Sequence, residues 1–156
     1  MVKFRYHIIA FVVFLLNAPC SLWAQEPPRV EPLTISTDQS STMLSAEVAD
    51  TEELRQRGLM FRHILPPDQA MLFDFETPRP VAMWMKNTYM SLDMLFVRED
   101  GTIAALAENT VPKSLDTVSV QEPVRGVVEL AAGTIKRLGV HKNDKVFHRI
   151  FKTKEE

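Results

Sequence analysis

The chain has 156 residues, of which 18 are Lys or Arg and 20 are Asp or Glu, so its formal net charge at pH 7 is −2. A mildly acidic chain without runs of like charge lacks the basic patch needed to bind nucleic acid or an anionic membrane, so neither partner is expected. The length suits one domain with its own hydrophobic core.

The first residues have the pattern of a secretory signal peptide, predicted to span 1–24. Lys3 and Arg5 precede an eleven-residue apolar run, "IIAFVVFLLNA", which small and polar residues follow, as in segments removed on export. The run is shorter than the roughly 20 residues of a membrane-spanning helix, although an uncleaved anchor is the alternative. We expect cleavage after Ala24, a periplasmic or secreted mature protein, and no stable membrane association after cleavage.

Cleavage at this site would also remove Cys20, the only cysteine. The mature chain would then have no disulfide and no thiolate, which excludes thiol catalysis and cysteine-based zinc sites. Loss of Lys3 and Arg5 leaves 16 basic residues against 20 acidic ones, a net charge of −4. The sequence does not predict the oligomeric state.

The mature chain begins with a predicted extended tether, 25–32, which contains three prolines. Two strands are predicted next, "LTIST" and "TMLSAEVA", joined by the turn-rich "DQSS". A short helix follows, with Asp50 as its N-cap, Glu53 as the capping-box partner and Gly58 at its end.

The central third of the chain is predicted to form strands. "AMLFDFE" is apolar throughout, and "RPVAMWMKNT" alternates. The alternation places Val81, Met83 and Met85 on one face and Ala82, Trp84 and Lys86 on the other. Because both faces carry large apolar groups, this second segment is predicted to be a central strand.

The last third is predicted to begin with a hairpin, "LDMLFVREDGTIAALAENT", which turns at Asp100 and Gly101. A strand "VRGVVEL", a short helix ended by Gly139, a strand "DKVFHRIF" and a charged tail, 151–156, follow. These elements predict a β-rich α+β fold in one globular domain, 33–150. Its sheet would be mostly antiparallel, curled or barrel-like, with two short helices.

Methionines are concentrated between residues 60 and 94. Thioethers are soft ligands that select Cu(I), and Met83, Met85 and Met90 are the residues that would form such a site. Methionine is also a flexible filler of hydrophobic cores, and each of these residues lies among apolar neighbours. Packing is the preferred interpretation, and no cofactor is expected.

Polar residues at the end of the alternating segment form the main candidate site. Trp84, Lys86 and Thr88 share a face, Asn87 follows at the strand end, and Asp93 begins the next strand. An indole plane with these polar groups would suit a small polar or sugar-like ligand, with Asp93 holding Lys86. Two further charges among apolar residues could join it: Arg57 and Glu129. The alternative is a buried salt-bridge network that stabilises the fold.

Motifs of familiar enzymes are absent: the chain has no phosphate loop, dinucleotide turn, paired-histidine zinc motif or nucleophile elbow. A hydrolase-like enzyme with Asp93 or Glu129 as general base and Lys86 as electrostatic stabiliser is one alternative to ligand binding. A protein–protein interaction module, which would expose an apolar patch, is another. His148 alternates out of an apolar strand and is predicted to face solvent.

Five motifs in order resemble the domain of unknown function 192 family: "RGLMFR", "AMLFDF", "MWMKNTYMSLDMLFV", "DGTI" and "VVELAAG" with the later "LGV". The resemblance covers about residues 33–150. It implies a compact β-rich fold with a few short helices, and members of this family often carry export signals. It implies no particular activity, substrate or cofactor. The matching positions include all seven candidate site residues, Arg57, Trp84, Lys86, Asn87, Thr88, Asp93 and Glu129.

Overall fold

The computed structural model describes residues 28–153. The predicted signal peptide, the first residues of the predicted tether and the last three residues of the charged tail lie outside this range. Within it, neither of the two short helices has the length and apolar character needed to cross a bilayer.

Seven strands form one sheet in the order β5-β4-β6-β3-β2-β1-β7. Neighbouring strands are antiparallel except β2 and β3, which run parallel. The predicted β-rich α+β fold is therefore confirmed. In chain order the elements are β1 (Arg29–Ser36), β2 (Ser41–Ala49), α1 (Glu52–Arg57), β3 (Gln69–Met83), β4 (Leu92–Val97), β5 (Ile103–Ala107), β6 (Val118–Ala131), α2 (Thr134–Leu138) and β7 (Lys145–Phe147).

The two edges of the sheet meet beside β5 and β7. Thr102, immediately before β5, forms a bridge with Lys145 in β7. Close by, the Ile103 amide donates to the Asp144 carbonyl at 2.9 Å and the Val146 amide to the Gly101 carbonyl at 2.8 Å. These bonds satisfy backbone groups that an open edge would leave unpaired, so the sheet nearly closes into a barrel.

Side-chain alternation divides the buried residues into two clusters. In β6, Val128 and Leu130 belong to an inner cluster that fills the barrel. Val127 points to the opposite face and joins an outer cluster that also contains Phe73 and Met94. The loops after α1 and after β3 cover this outer cluster, and the candidate site lies there.

The start of α1 differs from the prediction. Thr51 caps the helix, its hydroxyl accepting a hydrogen bond from the Leu54 amide at 3.2 Å. Asp50 lies one residue too early to cap, and Glu53 is not at the third helical position that a capping box requires. Gly58 does end the helix, at a φ of 45°.

Other boundaries also differ from the prediction, including the start of β6, which begins at Val118, six residues before the predicted strand. β1 begins at Arg29, which pairs with Val48, so the second half of the predicted tether is part of the sheet. β3 is one strand of 15 residues where two were predicted. Its residues 79–83 pair with β6 alone, so the prediction of a central strand is wrong for that part. The predicted last strand is shorter, since β7 has only three residues.

Candidate functional site

A recess on the outer face of the barrel contains most of the predicted site. It lies between α1, the turn that follows α1, and the end of β3 with the residues after it, and its volume is about 160 Å³. Five of the seven predicted site residues line it: Arg57, Trp84, Lys86, Thr88 and Glu129.

Trp84 and Lys86 form the outer wall of the recess. They follow β3 with the spacing that puts alternate side chains on one face. The Lys86 ammonium lies 5.0 Å from the centroid of the Trp84 ring, within range for a cation–π contact. Trp84 is 48% exposed, so one large aromatic surface is available to a ligand.

Glu129 is the buried polar group of the recess. It lies in β6 opposite Met71 of β3 and Met94 of β4, two side chains of the outer cluster. It is 4% exposed, and its carboxyl forms no hydrogen bond or ion pair with the residues from 28 to 153. Burial among apolar groups disfavours the ionised form and raises the pKa of Glu129 to about 8.

Basic side chains dominate the rest of the lining. Arg55, Arg57, Arg79 and Lys86 face the recess, against one further acid, Glu52, at its rim. With Glu129 mostly protonated near pH 7, the recess carries an excess of positive charge.

Arg55 is held by protein groups. Its guanidinium donates to the Asp50 carbonyl at 2.9 Å and to the Asp74 carbonyl at 2.7 Å, which fixes α1 against β3. Arg79 lies over the Phe75 ring at 5.0 Å. Neither Arg79 nor Lys86 forms an ion pair with a residue in the described range.

Asn87 shapes the recess without lining it. Its φ is 57°, a left-handed conformation that Asn tolerates better than most residues. Its carbonyl accepts from the Phe61 amide at 2.8 Å, and its side-chain nitrogen lies 3.8 Å from the Met60 sulfur. These contacts position the turn after α1. Thr88 is buried, and its hydroxyl donates to the Lys86 carbonyl at 3.4 Å.

Asp93 does not belong to the site, and the prediction that it holds Lys86 is wrong. It is fully buried, and each carboxylate oxygen accepts a backbone N–H at 2.9 Å, from Asn109 and from Ile135. Asp93 therefore connects β4 to the first turn of α2. Lys86, Asp93 and Glu129 form no ion pairs with described residues, so the structure shows no salt bridge among these three residues.

Sequence reasoning missed the aromatic residues and arginines contributed by α1 and β3. Phe73 and Phe75 line the recess together with Arg55 and Arg79. The alternation in "AMLFDFE" puts Met71, Phe73 and Phe75 on one face, so this aromatic side could have been inferred. The position of Arg79 could not, because it depends on β3 continuing past Pro78.

A family model matches residues 33–148 of this sequence: DUF192, described as "Uncharacterized ACR". The chain belongs to the DUF192 family. No curated protein matches it in sequence.

Among the solved structures that resemble this DUF192 domain are two bacterial proteins. One is a protein from Sinorhizobium meliloti 1021, provisionally named a transcription regulator. It is 44% identical, with a TM-score of 0.78, over 80% of this chain and 98% of that one. The other is a protein of unknown function from Novosphingobium aromaticivorans DSM 12444. It is 31% identical, with a TM-score of 0.74, over 76% of this chain and 85% of that one.

The methionines of this DUF192 domain pack in the outer cluster. Met83 and Met85 are 9% and 2% exposed, and Met90 packs against the same cluster from its edge. The Met85 sulfur accepts a hydrogen bond from the Thr110 hydroxyl at 3.2 Å. Packing thus accounts for their positions, and a Cu(I) site stays a prediction.

Exposed apolar side chains lie beside the recess. The Phe61 and Tyr89 rings meet edge-on with centroids 6.3 Å apart, and the Lys113 ammonium lies 4.9 Å from the Tyr89 ring. Leu115, in the same loop as Lys113, is 70% exposed. The interaction-module interpretation, which calls for such groups, stays a prediction.

His148 is buried, so the prediction that it faces solvent is wrong. β7 ends at Phe147, and strand alternation does not apply beyond it. Its Nε2 atom lies 3.2 Å from a carboxylate oxygen of Glu31. Desolvation lowers the pKa of His148, and the negative charge of Glu31 partly opposes this effect.

Proposed function

We propose that this DUF192 domain is an exported binding protein that holds a small polar ligand in the recess on the outer face of its barrel. The observation that carries the proposal is the pairing of an exposed Trp84–Lys86 platform with the buried carboxyl of Glu129, which has no hydrogen-bond partner among residues 28–153. A concave, partly apolar site with a few convergent polar groups is the usual form of a small-molecule site. Export is supported by the pattern of residues 1–24.

Each wall of the recess offers a different interaction. The Trp84 ring offers a flat surface for stacking, and Lys86 adds a positive charge beside it. Glu129, protonated near pH 7, offers one hydrogen-bond donor on an otherwise apolar side. A ligand with a planar or apolar body and a polar end would satisfy all three groups.

The direct test is mass spectrometry of small molecules that co-purify with the exported protein. We expect a ligand that is retained by the native protein and depleted at least about tenfold in Lys86→Ala, because the platform loses its charge. Lys113→Ala is the matched control. It removes a lysine that also lies over an exposed aromatic ring but does not line the recess.

Equal retention of a ligand by the native protein and both variants would place binding elsewhere and contradict the proposal. The proposal would also be contradicted if no molecule co-purified and if Trp84 fluorescence did not respond to any member of a metabolite library. Trp84 suits this measurement because the only other tryptophan, Trp23, lies in the predicted signal peptide.

Export is tested by fractionating the native host and determining the N-terminus of the protein by mass spectrometry. We expect a mature chain that begins at Gln25 in the periplasmic or secreted fraction. A cytoplasmic protein that retains residues 1–24 would contradict this part of the proposal.

Glu129 also favours a second candidate function, general acid–base catalysis. A carboxyl with a raised pKa in a recess is a recognised mark of catalytic sites. Asp93 cannot fill this role, because both its oxygens accept backbone N–H groups away from the recess. If the native protein turns over the ligand, and Glu129→Gln binds the ligand equally well but does not turn it over, the enzyme is favoured. Equal turnover by the native protein and Glu129→Gln would exclude this role for Glu129.

A further inference from the structure

Glu129 limits the kind of ligand that the recess can accept. The chain places a carboxyl between Met71 and Met94 and supplies it with no hydrogen-bond donor from the described residues. A buried polar group without a partner is costly, and an unpaired buried charge more so. Because Glu129 lines the recess, a ligand bound there is positioned to supply this partner.

Charges around Glu129 decide between an anionic and a cationic partner. An ammonium ligand could pair with the ionised carboxylate, but it would have to enter a recess lined by four basic side chains. Arg55 is paired with Glu52 and Glu76, whereas Arg79 and Lys86 form no ion pair with described residues. Among the described residues, the one other acid that lines the recess is Glu52, which lies at the exposed rim. Glu47 of β2 lies beyond Met71 in the same cross-strand row and already forms an ion pair with Arg62.

Every element around the recess contributes to this balance. On α1, on β3 and in the turn after β3, the lining has more basic than acidic side chains. β4 contributes an apolar residue, Met94, at the position opposite Glu129. The charged side chains of the lining, Glu129 apart, are Glu52, Arg55 and Arg57 from α1, Arg79 from β3 and Lys86 from the turn.

We propose that the ligand is a small organic oxyanion of the carboxylate class, and that the protonated Glu129 carboxyl donates a hydrogen bond to one of its oxygens. This inference rests on the proposed function, since it assumes that the recess is the ligand site. The anionic end lies at the Glu129 carboxyl, and the planar or apolar body of the ligand lies against Trp84. Hydrogen bonds between a neutral donor and an anionic acceptor are among the stronger ones in proteins.

The proposal couples binding to protonation. A carboxylate ligand is repelled by an ionised Glu129, so only the protonated protein binds it well. Burial sets the pKa of Glu129 at about 8 in the empty recess, and a bound anion raises the pKa further. Affinity for an anion should therefore be constant below about pH 7 and fall about tenfold per pH unit above about 8. A cationic ligand would give the opposite trend.

Three probes with one shape and different charges test this inference: benzoate, benzamide and benzamidinium. Each is titrated at millimolar concentration into the purified protein at about pH 6.5 and about pH 9.5, on either side of the Glu129 pKa. Calorimetry gives the affinity, and the indole N–H resonance of Trp84 reports whether the probe occupies the recess. Titrations in two buffers of different ionisation enthalpy count the protons taken up.

We expect benzoate to bind tightest at the lower pH and to weaken at least about tenfold at the higher pH, where its binding takes up about one proton. Glu129→Gln keeps a donor that cannot ionise, so its affinity for benzoate should not vary with pH. Glu129→Met, which matches the flanking methionines, removes the donor. It should lower the affinity for benzoate at least about tenfold at the lower pH. Circular dichroism measures whether both variants fold. If Glu129→Met does not fold, the comparison of Glu129→Gln with the native protein is sufficient for the test.

Two results overturn the inference while leaving the recess as a ligand site. One is tighter binding of benzamidinium or benzamide than of benzoate, with a shift of the Trp84 resonance. The other is benzoate binding that does not change between the two pH values in the native protein. If none of the three probes shifts the Trp84 resonance, the inference is contradicted. If, in addition, the Lys86→Ala protein retains the co-purifying ligand, the proposed function is contradicted as well.

Discussion

Replacing Asp93 with asparagine should destabilise the domain strongly although the two side chains have nearly the same shape. In the native protein both carboxylate oxygens accept backbone N–H groups at 2.9 Å, from Asn109 and from Ile135, and the side chain is fully buried. The substituted side chain would retain one oxygen for one N–H. Its amide nitrogen would face the other N–H, donor against donor.

The expected loss of unfolding free energy follows from these two bonds. A hydrogen bond to a charged group contributes about 1.5–3 kcal/mol, and a buried donor left without an acceptor costs about 1–3 kcal/mol. Asp93→Asn weakens one bond and abolishes the other, so we expect a loss of about 3 kcal/mol. For a domain of this size that corresponds to a fall in melting temperature of about 10 °C.

Urea unfolding followed by circular dichroism measures this loss, since a lower midpoint at unchanged slope means lower stability. Asp116→Asn is the matched control, because Asp116 is exposed and its carboxylate forms no hydrogen bond or ion pair with described residues. Its stability should stay within about 0.5 kcal/mol of the native value. A similarly small effect of Asp93→Asn would refute the structural role assigned to this residue.

Three further predictions concern stability. The pKa of Glu129 rises from 4.5, its ordinary value, to about 8 on folding. Its stabilising contribution is therefore complete below about pH 4.5 and is lost at up to about 1.4 kcal/mol per pH unit as pH rises to about 8. We expect the unfolding free energy of Glu129→Gln, relative to that of the native protein, to increase as pH rises across this range. A difference between the two proteins that does not change with pH would contradict this. Gly126→Ala should cost about 1–3 kcal/mol in urea unfolding, because the new Cβ would lie 2.8 Å from the Phe73 carbonyl oxygen; an unchanged midpoint would contradict the close approach. Arg62→Lys should cost less than about 1 kcal/mol, since it replaces a partly exposed bidentate contact with Glu47 at 2.5 and 2.7 Å. The cost should shrink in high salt, and a salt-independent loss would point to packing instead.

Local patterns in the sequence predict much of the fold. The hairpin of β4 and β5 and the glycines that end both helices follow from neighbouring residues. The continuous β3 does not, because Pro78 and Pro80 normally end a strand. Here β3 shifts register near Arg79, and residues 79–83 pair on one side only, so the missing N–H groups are tolerated.

The candidate site was predictable where residues are close in sequence and unpredictable where they are not. The Trp84–Lys86 contact follows from strand alternation. The role of Asp93 depends on Ile135, 42 residues away, and no local pattern signals that contact. Glu129 was expected to find a partner because it lies among apolar residues. It has none in the described part of the chain, and this makes it the most informative residue of the recess.

We expect a small ligand to occupy the recess between Trp84 and Glu129. The most direct measurement is a high-resolution crystal structure of the mature protein purified from its native host without added ligand. We expect density for a small molecule that stacks on Trp84 and lies within hydrogen-bond distance of the Glu129 carboxyl. A co-purified molecule bound at another place on the surface, with only water in the recess, would contradict it.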